Sequence, residues 1–281
     1  MTDADALRIL REKAAMRALS DGWRRAGETV AVVPTMGALH DGHLSLVDAA
    51  RARADRVVVT LFVNPRQFDD PEDYAKYPRT EEDDARKLIP HGADVLYVPG
   101  PAEMYPEGFA TTVSVAGPAL GLCGATRPGH FDGVATVVTK LLMQTGADLA
   151  FFGEKDHQQV QVVRRLVADL DLPVTIIPCP TLREADGLAM SSRNGRLSPA
   201  MRDAAPAIFA ALTVAARAIA TGDDPDSAVE AARAALDAAG LGPLDYLEFR
   251  PEGDGGGRLY VAVFAGGGRL IDNVAVAPPA R

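Results

Sequence analysis

Thr29-Val30-Ala31-Val32-Val33, then Pro34-Thr35-Met36-Gly37, then His40-Asp41-Gly42-His43 running into Leu44-Ser45-Leu46-Val47-Asp48-Ala49-Ala50-Arg51, is the stretch whose reading decides the fold. The apolar run predicts a buried strand, the Gly37 segment a turn, and the last stretch a helix. A helix N-terminus carries free N–H groups and a partial positive charge, which favour phosphate. Two imidazoles at i and i+3 fall on one side of its first turn. Gly42 has no Cβ, so a large ligand can lie against the backbone. The arrangement suits a nucleotide whose α-phosphate is attacked, with imidazoles stabilising the developing charge. An isolated His-x-Gly-His reads more simply as two surface histidines beside a turn. The strand before it, the helix after it and the presence of only five histidines in the chain favour the nucleotide reading.

Working outward, helical spacing runs over residues 7–19 and is expected to end at Asp21-Gly22. Residues 56–63 form a second apolar strand ending at Asn64-Pro65, residues 81–89 a helix stopping before Pro90 and Gly92, and residues 93–98 a third strand. Residues 112–115 read as a short edge β segment. Helices follow at 131–143 and 158–170, with strands at 147–152 and 173–177. Nearly all-apolar strands alternating with helices predict a parallel sheet covered on both faces. Ligands of such sheets bind beyond the carboxyl ends of the strands. Those ends carry Thr35-Met36-Gly37, Asn64-Pro65-Arg66-Gln67 and Gly153-Glu154-Lys155-Asp156, which are expected to meet in one crevice.

The texture changes after about residue 182. Ser198 reads as an N-cap with Pro199 at the first helical position of an Ala-rich stretch reaching Ala220, where Pro206 kinks or restarts the helix. A second helix spans 226–239 and ends at Gly240. β-like segments follow at 244–250, 258–264 and 269–276, separated by glycines. The expected fold class is therefore α/β: a doubly wound, Rossmann-like parallel sheet over residues 1–181, with a smaller α+β C-terminal domain over 182–281.

The 281 residues are 47% hydrophobic and 24% charged, which is ordinary for a globular protein and excludes fibrous or disordered composition. A formal charge of -9 makes the chain a poor bulk partner for nucleic acid or an anionic membrane, so neither is expected. Cys123 and Cys179 form no disulfide framework. The first residues lack the basic start and apolar core of a signal peptide, and no apolar run reads as a membrane helix. A cytoplasmic protein is expected.

Several motifs carry chemistry beside a simpler alternative. Lys155 can pair with phosphate as a point charge, Gly153 permits close backbone approach, and Gln159 offers a donor and an acceptor to a hydroxyl or carboxylate. The alternative is a polar helix start capped by Asp156. Asn64 can orient a small polar substrate or bond its own backbone in a turn. Met190-Ser191-Ser192-Arg193-Asn194 offers hydroxyls and a guanidinium as a mobile phosphate clamp, although such triplets also occur in ordinary loops. Arg127-Pro128-Gly129-His130-Phe131 shapes a lid or caps a helix. Glu81-Glu82-Asp83-Asp84 is an acidic first turn, either solvated or facing nucleotide-bound Mg2+. His91 and His157 read as surface or structural.

Together these motifs, with Phe62-Val63-Asn64-Pro65-Arg66-Gln67-Phe68, Tyr77-Pro78-Arg79-Thr80, Phe152-Gly153-Glu154-Lys155-Asp156-His157-Gln158-Gln159 and Arg183-Glu184-Ala185-Asp186-Gly187-Leu188-Ala189, resemble the pantoate–β-alanine ligase family. The first motif alone would indicate only the wider nucleotidyltransferase superfamily; six in order are far more specific. The resemblance implies condensation of (R)-pantoate with β-alanine using ATP, through a pantoyl adenylate, with AMP and pyrophosphate released. It also implies Mg2+, a homodimer and a place in coenzyme A biosynthesis. By the resemblance, Met36, Gly37, Ala38, Leu39, His40, Asp41, Gly42 and His43 line the ATP site, with His43 as proton donor and His40 and Lys155 assisting. Gly153, Glu154, Lys155, Asp156, Leu182, Met190, Ser191, Ser192 and Arg193 contact ATP. The C-terminal domain closes over that site. Gln67 and Gln159 hold pantoate, with Asn64 beside them, and Gln67 also faces β-alanine. Asp83 and Asp84 match metal positions of some members. The sequence departs from the family at Arg66, often Met, at His157, often aromatic, and at Lys87, where some members have a neutral amide. Two rival readings are a nucleotidyltransferase that keeps the nucleotide in its product, which the paired amides Gln67 and Gln159 disfavour, and a nucleotide sensor, which would not need His43.

Overall fold

The computed structural model describes residues 7–253, 255–266 and 268–278. Its contacts divide into two compact units, Met1–Pro180 and Thr181–Arg281. The first unit runs β1 (Arg8–Leu10), α1 (Lys13–Arg25), β2 (Val30–Thr35), α2 (Asp41–Arg51), β3 (Arg56–Leu61), α3 (Pro71–Lys76), α4 (Glu81–Leu88), β4 (Val95–Tyr97), α5 (Pro101–Met104), α6 (Cys123–Thr126), α7 (His130–Thr145), β5 (Leu149–Gly153), α8 (His157–Asp169) and β6 (Thr175–Cys179). The strands form one six-stranded sheet in the order β1-β4-β3-β2-β5-β6, and every pairing is parallel. This is the expected doubly wound sheet. The chain winds outward from β2 to β3 and β4, then returns to lay β5 on the other side of β2. That reversal opens a crevice beyond the carboxyl ends of β2 and β5, where such sheets bind ligands. Val30, Val32, Val33, Val57, Val58 and Val59 are fully buried, as near-continuous apolar strands of a covered sheet require.

Three local features differ from the sequence reading. Residues 7–19 are not one helix: Arg8–Leu10 is an edge strand with Arg8 opposite Val95, and α1 starts at Lys13 and runs through Gly22 to Arg25. Three residues are too few to show alternation, and pairing with β4 decides their state. Residues 112–115 belong to no strand and join neither sheet; the Val113 N–H donates instead to Thr136 Oγ1 at 3.0 Å. Helix α3 was readable but missed: Asp70 caps it by accepting from Glu72 N–H at 2.8 Å, with Pro71 at the first position.

The second unit carries α9 (Pro199–Ala204), α10 (Ala207–Ala220) and α11 (Pro225–Ala238), then β7 (Leu244–Glu252), β8 (Gly256–Ala265) and β9 (Gly268–Val276). The three strands pair antiparallel in chain order. The helical break at Pro206 and the Ser198 cap, which accepts from Met201 N–H at 3.3 Å, are as expected. Contrary to the sequence reading, residues 199–220 are long and apolar enough to cross a membrane by length and composition. Ile208, Leu212, Ala215 and Ile219 of that stretch are instead buried in the core of this unit with Leu236, Leu259 and Val261.

One close approach fixes the end of β3 relative to α7. A Cβ at Gly133 would lie 2.2 Å from the Arg66 carbonyl oxygen. Helix propensity favours alanine there by ~1 kcal/mol. Backbone atoms cannot yield cheaply, so overpacking of about 1–3 kcal/mol wins. Gly133→Ala is expected to lower the urea midpoint of unfolding without changing its slope; a raised midpoint would contradict this packing.

Candidate active site

The loop between β2 and α2 turns sharply. Gly37 has φ 83° and Ala38 φ 52°, so a non-glycine residue sits in the left-handed region. Such a turn aims consecutive N–H groups at one point, away from any ladder. Asp84, from α4, meets them with a fully buried carboxylate. It accepts from Ala38 N–H at 2.9 Å, Leu39 N–H at 2.7 Å and the Thr80 hydroxyl at 3.1 Å. Thr35 completes the corner, accepting from Gly37 N–H at 3.2 Å and donating to the Thr60 carbonyl at 2.7 Å.

His40 is the N-cap of α2, and Asp41, Gly42 and His43 form its first turn. The two imidazole centroids are 4.1 Å apart. His40 N–H donates to His43 Nδ1 at 3.4 Å. A ring accepting at Nδ1 carries its proton on Nε2 when neutral. Burial, then His40 and Lys155, push His43 down to about 3. Burial, then Lys155, push His40 down to about 4. Both rings are therefore neutral at pH 7, and His43 presents an Nε2–H donor. His40 Nδ1 is buried without a hydrogen-bond partner among the described residues.

At the end of β3, Asn64 is fully buried and organises the next turn. Its amide donates to Gln67 Oε1 at 3.0 Å and the Gly133 carbonyl at 3.1 Å, while its oxygen accepts from the Tyr105 hydroxyl at 2.8 Å. Gln67 Nε2 donates to Met36 Sδ at 3.1 Å, joining the β3 turn to the β2 turn. The Gln67 carbonyl accepts from His130 Nδ1 at 2.8 Å and Arg127 at 3.1 Å. His130 is likewise held neutral, pushed down to about 4 by burial and then Arg127.

The turn after β5 holds Glu154, Lys155 and Asp156, with Lys155 Nζ 3.7 Å from Asp156. Lys155 acts electrostatically on both His40 and His43, and Asp156 on His130. All three polar strand ends thus belong to one neighbourhood. The adjacent glutamines of α8 divide their work. Gln158 is buried and pins residues 118–123, donating to the carbonyls of Pro118 at 3.1 Å and Gly121 at 3.0 Å and accepting from Cys123 N–H at 3.1 Å. The half-buried Gln159 makes no side-chain hydrogen bond to a described residue.

A profile of the family described as pantoate-beta-alanine ligase matches residues 8–275. The chain belongs to the pantoate–β-alanine ligase family. It is 60% identical to a pantothenate synthetase of a Chelativorans species, over 97% of this chain and 99% of that one. Among solved structures, it resembles the pantothenate synthetase of Thermus thermophilus at TM-score 0.90 and 44% identity, covering 97% of this chain and all (100%) of that one. It also resembles the pantoate-beta-alanine ligase of Francisella tularensis complexed with beta-gamma ATP and β-alanine, at TM-score 0.85 and 34% identity over 98% and 100% of the two chains.

The remaining residues expected in this ligase site lie as follows. Asp83 is exposed and pairs with Arg86, whereas both Asp84 oxygens are engaged by the β2 turn. No group of three or more His, Cys, Asp or Glu able to hold a metal occurs among the described residues. In the second unit, Leu182 is exposed, and residues 183–194 form a braced turn. Arg183 makes a bidentate pair with Asp272 at 2.6 and 3.0 Å, its guanidinium 3.7 Å from the Phe209 ring centroid. Asn194 donates to Glu184 at 2.7 Å and the Ala189 carbonyl at 3.0 Å, and Arg193 N–H donates to Ser191 Oγ at 3.2 Å. Sequence reasoning missed the structural roles of Asp84, Gln158 and His130. The Asp84 contact spans more than 40 residues and leaves no local pattern.

Three imidazoles held near 3 to 4 rather than 6.5 tie stability to pH. Below about pH 6.5 the unfolded chain binds protons that the folded chain refuses. Stability present above 6.5 is therefore lost as pH falls toward 4, by roughly 1.4 kcal/mol per pH unit per imidazole. Urea unfolding at pH 7, 6 and 5 is expected to show this loss, and His43→Gln to lessen it. Equal stability at pH 7 and 5 would contradict the neutral assignment.

Proposed function

We propose that the chain catalyses the family reaction, condensing (R)-pantoate with β-alanine at the expense of ATP, by using this crevice for adenylation. A pantoate carboxylate oxygen attacks the α-phosphorus, forming a mixed anhydride with AMP and expelling pyrophosphate. The β-alanine amine then attacks the acyl carbon, and AMP leaves with the bridging oxygen. No protein nucleophile is needed. The observation that carries the reading is His43: a half-buried, neutral imidazole with Nε2–H available, at a helix N-terminus, with Lys155 acting on it electrostatically. Such a donor stabilises negative charge on the attacked phosphoryl group without proton transfer beforehand. Lys155 and the free N–H groups of α2 add positive potential for the triphosphate. Gln67, fixed by Asn64 and Met36, and the unengaged amide of Gln159 would hold pantoate, with Gln67 also toward β-alanine. Glu154, Leu182, Met190, Ser191, Ser192 and Arg193 are the further ATP contacts, supported by the family motif that they match.

The donor set does not build a metal cage by itself, so we assign Mg2+ to the phosphates of ATP, the usual habit of that ion. Asp83 and Asp84 then act at most as outer groups, and every step above rests on side chains of this chain. A homodimer is what the family resemblance implies. A cytoplasmic setting is supported by two buried cysteines, Cys123 and Cys179, that join in no disulfide.

Pantoate-dependent exchange of labelled pyrophosphate into ATP is expected without β-alanine. His43→Ala should slow it by ~10²–10⁴ while leaving the fold intact by circular dichroism. Wild-type exchange in that variant would remove His43 from adenylation. Separately, Gln67→Ala and Gln159→Ala should each weaken pantoate more than ATP, by about 0.5–1.5 kcal/mol per lost neutral hydrogen bond. Calorimetric titrations showing the reverse order would refute the pantoate assignment.

A further inference from the structure

Lys87 stands one turn after Asp84 on α4, on the same side of the helix. Its Nζ donates to the Leu39 carbonyl at 2.6 Å. Among the described residues the ammonium forms no ion pair, and its charge acts on both His40 and His43. The carbonyl it grips belongs to the Leu39–His40 peptide unit. The N–H of that same unit is the one donating to His43 Nδ1. A cation on the oxygen of a peptide group draws electron density from its nitrogen and makes its N–H a stronger donor. Lys87, one peptide and one imidazole therefore form a continuous polarised chain. Asp84 holds the two preceding peptide units by their N–H groups, so three consecutive units answer to one helix.

We propose that Lys87 is a positioning residue of the adenylation step: through the Leu39–His40 peptide it fixes the ring of His43 in the tautomer that carries its proton on Nε2. This rests on the reading of His43 as the donor to the attacked phosphoryl group.

The test is long-range 1H–15N correlation of the imidazoles in 15N-histidine-labelled protein, with His43 assigned by its disappearance in His43→Ala. In the wild type, His43 Nδ1 is expected at an unprotonated shift and Nε2 at a protonated one. Lys87→Met should shift both toward the averaged values of mixed tautomers, and Lys87→Arg should restore the wild-type pattern. Pyrophosphate exchange should fall by ~10–100-fold in Lys87→Met, as for a slightly misplaced catalytic group, with the pantoate KM unchanged. Lys87→Arg should return it to within roughly threefold. A wild-type tautomer in Lys87→Met, or equal impairment of Lys87→Met and Lys87→Arg, would overturn the proposal. Should Lys87→Met not fold, Lys87→Gln takes its place, with an intermediate spectrum expected and a wild-type one contradicting. If His43→Ala exchanges normally, the adenylation reading fails while the tautomer result still judges the Lys87 link.

Discussion

Two N–H groups of a left-handed turn are held by one buried carboxylate, and the candidate site depends on that contact. Ala38 lies in a backbone region that costs a non-glycine residue about 1–2 kcal/mol. Its N–H and that of Leu39 would be orphans were Asp84 not there. An unsatisfied buried donor costs about 1–3 kcal/mol. The single carboxylate therefore offsets strain, satisfies two donors and ties α4 to the loop that leads into His40. Gly37 fits beneath it because a Cβ would lie only 3.1 Å from the Asp84 oxygen.

Electrostatically, Lys87 and Lys155 act on the two imidazoles against Asp156, and burial is the largest cause that keeps both rings neutral. A neutral donor suits phosphoryl transfer, where charge moves among oxygens and a protonated ring would bind the ground state as strongly as the transition state. The end of β3 is organised differently. There, Asn64, Gln67, Met36 and the Gln67 carbonyl with His130 and Arg127 form a network of interlocking bonds, so the amide of Gln67 is oriented before any substrate arrives.

Much of this was legible in the residues. The Val30–Thr35 strand, the His40 and His43 pair and the polar ends of β3 and β5 announced themselves because each is a local pattern: an apolar run, a glycine turn, a helix start. The Ser198 cap and the Pro206 break were legible for the same reason. What stayed hidden was set at long range. Arg8–Leu10 is a strand because β4 pairs with it. Residues 112–115 have strand-like composition yet find a threonine hydroxyl instead of a ladder. Asp84 looked like one acid among four in a helix start, and only the fold brings it to Ala38. Gln158 and Gln159 are identical neighbours whose roles diverge because a helix turns ~100° per residue.

The central claim is that pantoate's carboxylate attacks the α-phosphorus of ATP in this crevice. The most direct measurement uses pantoate labelled with 18O in both carboxylate oxygens, followed by mass spectrometry of the nucleotide and phosphate products after β-alanine is added. The account predicts one 18O atom in each AMP, because the bridging oxygen of the mixed anhydride departs with the nucleotide. Label in inorganic phosphate, with ADP as the nucleotide product, would contradict it.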